Sequence, residues 1–167
     1  MEILFDRIGV HAPVGLFLMT LLLLRNMPNY LNFFIIGTVL TNILNIILKL
    51  CIQSPRPLKD NRALEIAISN GERISFNKYG MPSGHAQNCG FFLGFVSLIF
   101  KNILFTSFYL IISLFSLIQR VKYNNHTIIQ VIVGFFIGLI TSYYVYVKAK
   151  QYIVGHLNEK PDDNAPI

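Results

Sequence analysis

Five stretches of this chain, residues 8–24, 31–52, 81–100, 103–119 and 127–147, are apolar. Each comes close to the ~20 residues that a helix needs to cross the hydrocarbon core of a bilayer. In lipid every backbone N–H and C=O must be satisfied within the protein, so an open sheet with unpaired edges is excluded and helices are the default. The expected fold is all-α, a polytopic transmembrane helix bundle of about five spans. It forms a single membrane-embedded domain over residues 1–167, with a polar, frayed tail over about 148–167. Composition agrees. Hydrophobic residues make up 53% and charged residues 13%, against roughly 25% charged in an average soluble protein. So little charge cannot wrap so much apolar surface, which argues against a soluble enzyme, a disordered tail or a nucleic-acid module. The net charge of +6 comes from Lys and Arg lying between apolar stretches, where such residues flank membrane spans.

Smaller features follow from the same frame. Glu2, Asp6 and Arg7 precede the first stretch, so there is no positive n-region of a signal peptide, and that stretch is read as a retained span. The lead-in before it is expected to lie along the interface. Cys51 and Cys89 sit in apolar sequence and are read as buried packing residues rather than a disulfide. Gly134 and Gly138 form a G-x-x-x-G, which favours close helix packing and leaves a homodimer face as a lesser possibility. Asn42 and Asn45, unusual within a span, are expected to bridge helices or to line a cavity. The loop cations Lys59, Arg62, Arg73 and Lys78 are read as a solvated surface that attracts anionic headgroups. Five crossings put the N-terminus, residues 53–80 and residues 120–126 on one side of the membrane. The Lys and Arg excess on that side comes from cations that chemistry can claim, so orientation stays open.

The polar residues gather at three span ends, all on that one side. Lys49 to Pro57 ends the second stretch, Gly80 to His85 opens the third, and Arg120 to Gln130 opens the fifth. Together they supply three cations, two imidazoles, a hydroxyl and a helix start. Fixed Arg and Lys neutralise a multiply charged anion, with Arg forks gripping phosphate oxygens in two places. Pro82 reads as a first-turn proline beside Ser83 and Gly84, and a helix start offers unpaired N–H groups to phosphate. Such a cradle fits a trigonal-bipyramidal phosphoryl transition state. One neutral imidazole can attack phosphorus while a second, protonated one donates to the departing oxygen. Carboxylates of the kind Mg²⁺ wants are sparse, with only Asp60, Glu65 and Glu72 nearby. No metal and no cofactor are therefore expected. His126 and Gln130 lie at i and i+4 on one helical face, so the amide is expected to orient the ring.

These clusters resemble the motifs of the type 2 phosphatidic acid phosphatase superfamily: K-x6-R-P, P-S-G-H and S-R-x5-H-x3-D. The chain has Lys49-x6-Arg56-Pro57, Pro82-Ser83-Gly84-His85 and Arg120-x5-His126-x3-Gln130. The resemblance implies that Lys49, Arg56, Arg120, Ser83 and the Gly84 amide bind phosphate, that His85 is the general acid and that His126 is the nucleophile. It further implies a six-helix core, of which this chain is a version shortened by one N-terminal span. Two positions depart from the pattern. Gln119 stands where Ser is usual, and Gln130 stands where Asp is usual. In a serine-protease triad, exchanging such an Asp for Asn costs about 10⁴ in kcat. The dolichyl-diphosphatase branch, however, resembles this chain in both H-T-x-x-Q-V and G-M-P-S-x-H-x-Q-x-x-x-F-F. Here these are His126-Thr127-Ile-Ile-Gln130-Val131 and Gly80 to Gln87 followed by Phe91-Phe92. The expected activity is thus hydrolysis of a prenyl diphosphate to the monophosphate through a phospho-histidine. The alternatives are a broad phosphatidic acid phosphatase or a weakly active lipid-phosphate-binding protein. The implied partners are the lipid phosphate or diphosphate and the bilayer, with no nucleic acid. The implied location is a multi-pass integral membrane protein, in the endoplasmic reticulum if the cell is eukaryotic or a virus's host.

Overall fold

A computed structural model describes residues 2–57, 69–70 and 78–158, with side chains described between residues 6 and 155. Among these the chain forms five α-helices: α1 (Glu2–Leu24), α2 (Pro28–Ile52), α3 (Gly84–Phe100), α4 (Ile103–Lys122) and α5 (Ile128–Asn158). Four of them, α1, α2, α4 and α5, are long and apolar enough to cross a membrane. α3 has 17 residues, about 25 Å at 1.5 Å per residue, which is the lower end of the spanning range. It is the core of the bundle. α3 packs against all four other helices, and an almost unbroken run from Ala86 to Val96 is buried.

The helix ends are written in local chemistry. Pro28 opens α2, where a missing N–H costs nothing. Asn102 caps α4, its Oδ1 accepting from the N–H groups of Leu104 (2.8 Å) and Phe105 (3.4 Å). Short turns at Arg25–Met27, Lys101–Asn102 and Tyr123–Thr127 make successive helices antiparallel. The end of α2, the start of α3, the end of α4 and the start of α5 therefore meet at one end of the bundle.

The opposite half is filled by rings. Phe34 lies against Phe17, Phe91, Phe92 and Phe95 with centroids 5.4–5.9 Å apart, a spacing that favours aromatic pairs. α3 and α5 approach backbone to backbone. A Cβ at Gly138 would come within 2.0 Å of the Gln87 carbonyl oxygen, and one at Gly90 within 2.2 Å of the Phe135 carbonyl oxygen. Gly134 and Gly94 complete the seam, against the Ser83 backbone and the Ser142 hydroxyl. The G-x-x-x-G of α5 thus meets a second one, Gly90 and Gly94, on α3. Gly134 and Gly138 are consumed inside the chain and are not a face for a second copy.

Several expectations are corrected. The lead-in is continuous with the first span: α1 is helical from Glu2, and Asp6 binds Lys122 (3.4 Å) and the Tyr123 hydroxyl at the end of α4. The tail is not frayed at Lys148. α5 continues to Asn158 because Ala149 is buried and Tyr152 packs on Phe33, centroids 5.7 Å apart. Cys89 is buried as expected, but Cys51 is exposed on the outer face of α2. Pro82 is not in a first turn; it precedes the N-cap Ser83 and follows a cis peptide bond. Lys59, Arg62, Arg73, Asp60, Glu65, Glu72 and residues 159–167 lie outside the described residues.

Candidate active site

α2 presents Lys49 on its inner face, one to two turns beyond Asn45 and Asn42, and Lys49 is 4% exposed. The helix stops where Gln53 adopts a left-handed conformation (φ 51°) and donates its N–H to the Lys49 carbonyl. The chain then runs alongside residues 79–80. Gly80 N–H donates to the Ser54 carbonyl at 2.7 Å, and Pro55 and Tyr79 form an antiparallel bridge. This pairing delivers Arg56 to the mouth of the bundle.

The other half of the site comes from the turn between α4 and α5. Asn124 takes up positive φ (53°), a conformation that Asn tolerates better than most residues. The Asn125 and His126 N–H groups then both donate to the Arg120 carbonyl, at 3.0 and 3.2 Å. The last helical cation and the histidine are therefore held by one compact turn.

His126 is 4% exposed and both ring nitrogens are engaged. Nδ1 lies 2.8 Å from the Gly80 carbonyl oxygen, and Nε2 lies 3.2 Å from Nη1 of Arg56. A carbonyl can only accept and a guanidinium can only donate. The network thus assigns the proton to Nδ1 and the lone pair to Nε2. Burial, followed by the Arg56 guanidinium, pushes the imidazole down to about 3, with Lys49 and Arg120 adding to the effect. The ring is therefore neutral at physiological pH.

Lys49, Arg56, Gly84, His85, Arg120 and His126 line one cavity of about 550 Å³. Residues up to 77 positions apart in sequence, from Lys49 to His126, thus meet at one site. His85 sits opposite His126 in sequence origin, on the first turn of α3, against the backbone of Val10 on α1. Among the described residues lining the cavity there are three cations and no carboxylate.

Two assigned residues stand elsewhere. Ser83 is wholly buried behind Gly84 and does not line the cavity. Its N–H donates to the Gln130 carbonyl (3.0 Å), its backbone packs on Gly134, and its hydroxyl has no partner among the described residues. Gln130 does not orient His126. Its Oε1 accepts from Thr127 N–H while the Thr127 hydroxyl accepts from Gln130 N–H, both at 3.2 Å. This is a reciprocal capping box that starts α5. The remaining amide hydrogens go to Ser54 Oγ (3.1 Å) and the Pro55 carbonyl (2.8 Å). Gln130 thereby holds the segment that carries Arg56, and the Gly80 carbonyl holds His126. A Cβ at Gly80 would lie 2.5 Å from the Gln130 amide oxygen, so a side chain there would push this amide out of its hydrogen bonds.

Asn42 and Asn45 both bridge helices and line the cavity, so the two readings of them hold together. Sequence reasoning overlooked Asn88, Asn125, Val10 and Ile46, which also line it. Asn88 had a readable signal in its i+3 relation to His85 on α3.

The family model described as the PAP2 superfamily matches residues 30–152. A curated protein of Saccharomyces cerevisiae named dolichyldiphosphatase is 30% identical in an alignment 152 positions long that covers 78% of this chain and 59% of that protein. The chain therefore spans less than two thirds of the length of this relative. No solved structure matches the chain.

Proposed function

Because this chain belongs to the PAP2 superfamily, we propose that it is a membrane lipid phosphatase acting on a prenyl diphosphate. It removes the terminal phosphate and leaves the monophosphate. One observation carries this reading: a neutral imidazole, with Nδ1–H pinned by a carbonyl, aims its Nε2 lone pair at a guanidinium inside a cavity lined by Lys49, Arg120 and His85. The prenyl diphosphate is favoured by the motif agreement beyond the catalytic residues and by the name of the yeast relative.

In the proposed reaction the terminal phosphate draws Arg56 from His126, and Lys49, Arg56 and Arg120 neutralise its oxygens. His126 Nε2 attacks phosphorus as the bond to the bridging oxygen breaks. His85 gives its proton to that oxygen, and the prenyl monophosphate leaves. Water then attacks the phospho-histidine, with His85 taking its proton back as base. Inorganic phosphate departs and both rings are restored. Three cations do the charge neutralisation, so the reaction is proposed to be metal-independent. The proposed location is the endoplasmic reticulum membrane of a eukaryotic or virus-infected cell, as the resemblance implies.

The neutral acceptor at Nδ1 also favours a second reading, a lipid-phosphate-binding protein of slow turnover. A carbonyl stabilises developing imidazolium charge less than a carboxylate does. Detergent-purified protein given dolichyl diphosphate and phosphatidate decides the matter. Expected is phosphate release from the diphosphate that resists EDTA, is blocked by vanadate and is lost in His126→Ala. Release from phosphatidate alone points to the broad phosphatase. A folded protein that releases phosphate from neither overturns the phosphatase reading.

A further inference from the structure

We infer that the amide pair Asn42–Asn88 is a subsite for a second, singly charged phosphate of the substrate, the one nearest the bilayer. The inference rests on the reading of the cavity as a lipid-phosphate site.

The cavity is larger than its cationic part needs. At the ~30 Å³ that a water molecule occupies, its 550 Å³ has room for far more than the five heavy atoms of one phosphate. The cations and histidines lie at the loop end of the bundle. Further along α2 and α3, the wall carries the uncharged amides Asn42, Asn45 and Asn88. Asn88 lies one turn beyond His85 on α3, about 4.5 Å along the axis, and Asn42 lies seven residues from Lys49 on α2, about 10 Å. Polar side chains inside membrane-spanning helices are costly and point to a use.

Holding α2 to α3 does not account for this pair. That bridge is already made by the buried network of Asn45 Nδ2 to Gln87 Oε1 (2.7 Å) and Gln87 Nε2 to the Thr41 carbonyl (2.9 Å). Asn42 and Asn88 instead form an exposed contact on the cavity wall.

The pair has a fixed polarity. Asn42 Nδ2 donates to the Thr38 carbonyl at 2.8 Å. A carbonyl can only accept, so this bond sets which way the Asn42 amide faces. Its Oδ1 must then meet Asn88 Nδ2, as it does at 3.1 Å. Asn88 Oδ1 is left buried, with no partner among the described residues. Each amide nitrogen has two hydrogens and gives one to these bonds. What the pair offers the cavity is therefore N–H donors, which suit an anion.

The charge level fits as well. The terminal phosphate of a diphosphate carries most of the charge and takes the cations. The inner phosphate, already esterified, carries one negative charge, and neutral donors serve it without a further cation. Val10 of α1 and Ile46 of α2 also line the cavity and offer an apolar chain attached to the inner phosphate a way out between α1 and α2.

The test measures binding, separately from turnover. Farnesyl methylenediphosphonate and farnesyl phosphonate share a tail and differ by one phosphonate, and calorimetry on the detergent-solubilised full chain gives the ratio of their affinities. The wild-type chain is expected to prefer the diphosphonate by about tenfold or more. Asn88→Asp sets a carboxylate against the inner phosphonate and is expected to bring the ratio to about one or below. Measurable monophosphonate binding reports that the site has formed. Asn42→Leu, at an exposed position, is the second variant and should move the ratio in the same direction. No preference in the wild type, or a preference that survives both substitutions, overturns the inference. A preference that is present and lost as expected, with no phosphate released from any lipid, sinks the phosphatase reading alone.

Discussion

At the scale of single residues the site turns on the two nitrogens of His126. Burial and three nearby cations hold its ring neutral, with a value near 3 instead of the usual 6.5. The unfolded chain takes up this proton near pH 6.5 and the folded one only near pH 3. Stability owed to His126 is therefore intact above pH 6.5 and is lost as pH falls between those values. In ring-labelled protein without ligand, the His126 resonances should stay flat from pH 8 to 5, and an inflection near 6.5 would contradict this environment. The five residues His85, His126, Lys49, Arg56 and Arg120 were legible in the sequence because their side-chain chemistry is scarce in an apolar chain. Gln130 was misread because His126-x3-Gln130 and Thr127-x2-Gln130 are competing patterns on the same turn. The i+4 pairing suggested a ring partner, and the capping box won because the start of α5 has N–H groups to satisfy. The real partner, the Gly80 carbonyl, is a backbone atom and leaves no side-chain signature.

At the scale of elements, the α3–α5 seam fixes where the two histidines stand. Its glycines admit no side chain without moving a backbone, since the Gly138 position faces a carbonyl oxygen at 2.0 Å. Gly138→Ala should lower thermal stability in detergent by about 1–3 kcal/mol, the usual cost of overpacking. Gly155→Ala, on the same helix with open space around it, should leave the unfolding temperature unchanged. Equal behaviour of the two would show that the seam is not close-packed. The helices themselves were readable from apolar run length. Their limits were not, because packing extended them. Lys148 looks like an exit from the membrane, yet Ala149 and Tyr152 find partners and keep α5 going to Asn158.

At the scale of the whole molecule, the bundle is two-ended, with an aromatic half and a half that gathers the cations and histidines. The short turns require residues 26 and 78 to face opposite sides of the membrane. Single cysteines placed at Asn26 and at Lys78, in a background lacking Cys51 and Cys89, should react with an impermeant maleimide from opposite sides of a sealed vesicle. Labelling from one side would break the five-helix topology. The gathering of polar motifs at one end was visible in the sequence, whereas the depth of the cavity was not, since Asn88 and Val10 acquire meaning only when α1, α2 and α3 come together. The two flanks of that cavity also differ in stiffness. α3 and α5 are locked by their glycines, while α1 and α2 touch only sparsely. Both histidines are mounted on the locked side, one at the start of α3 and the other just ahead of α5. On the proposed reading of the cavity, a lipid tail would meet least resistance between α1 and α2, as a book opens away from its spine, and the two imidazoles would keep their spacing whatever passes between the covers.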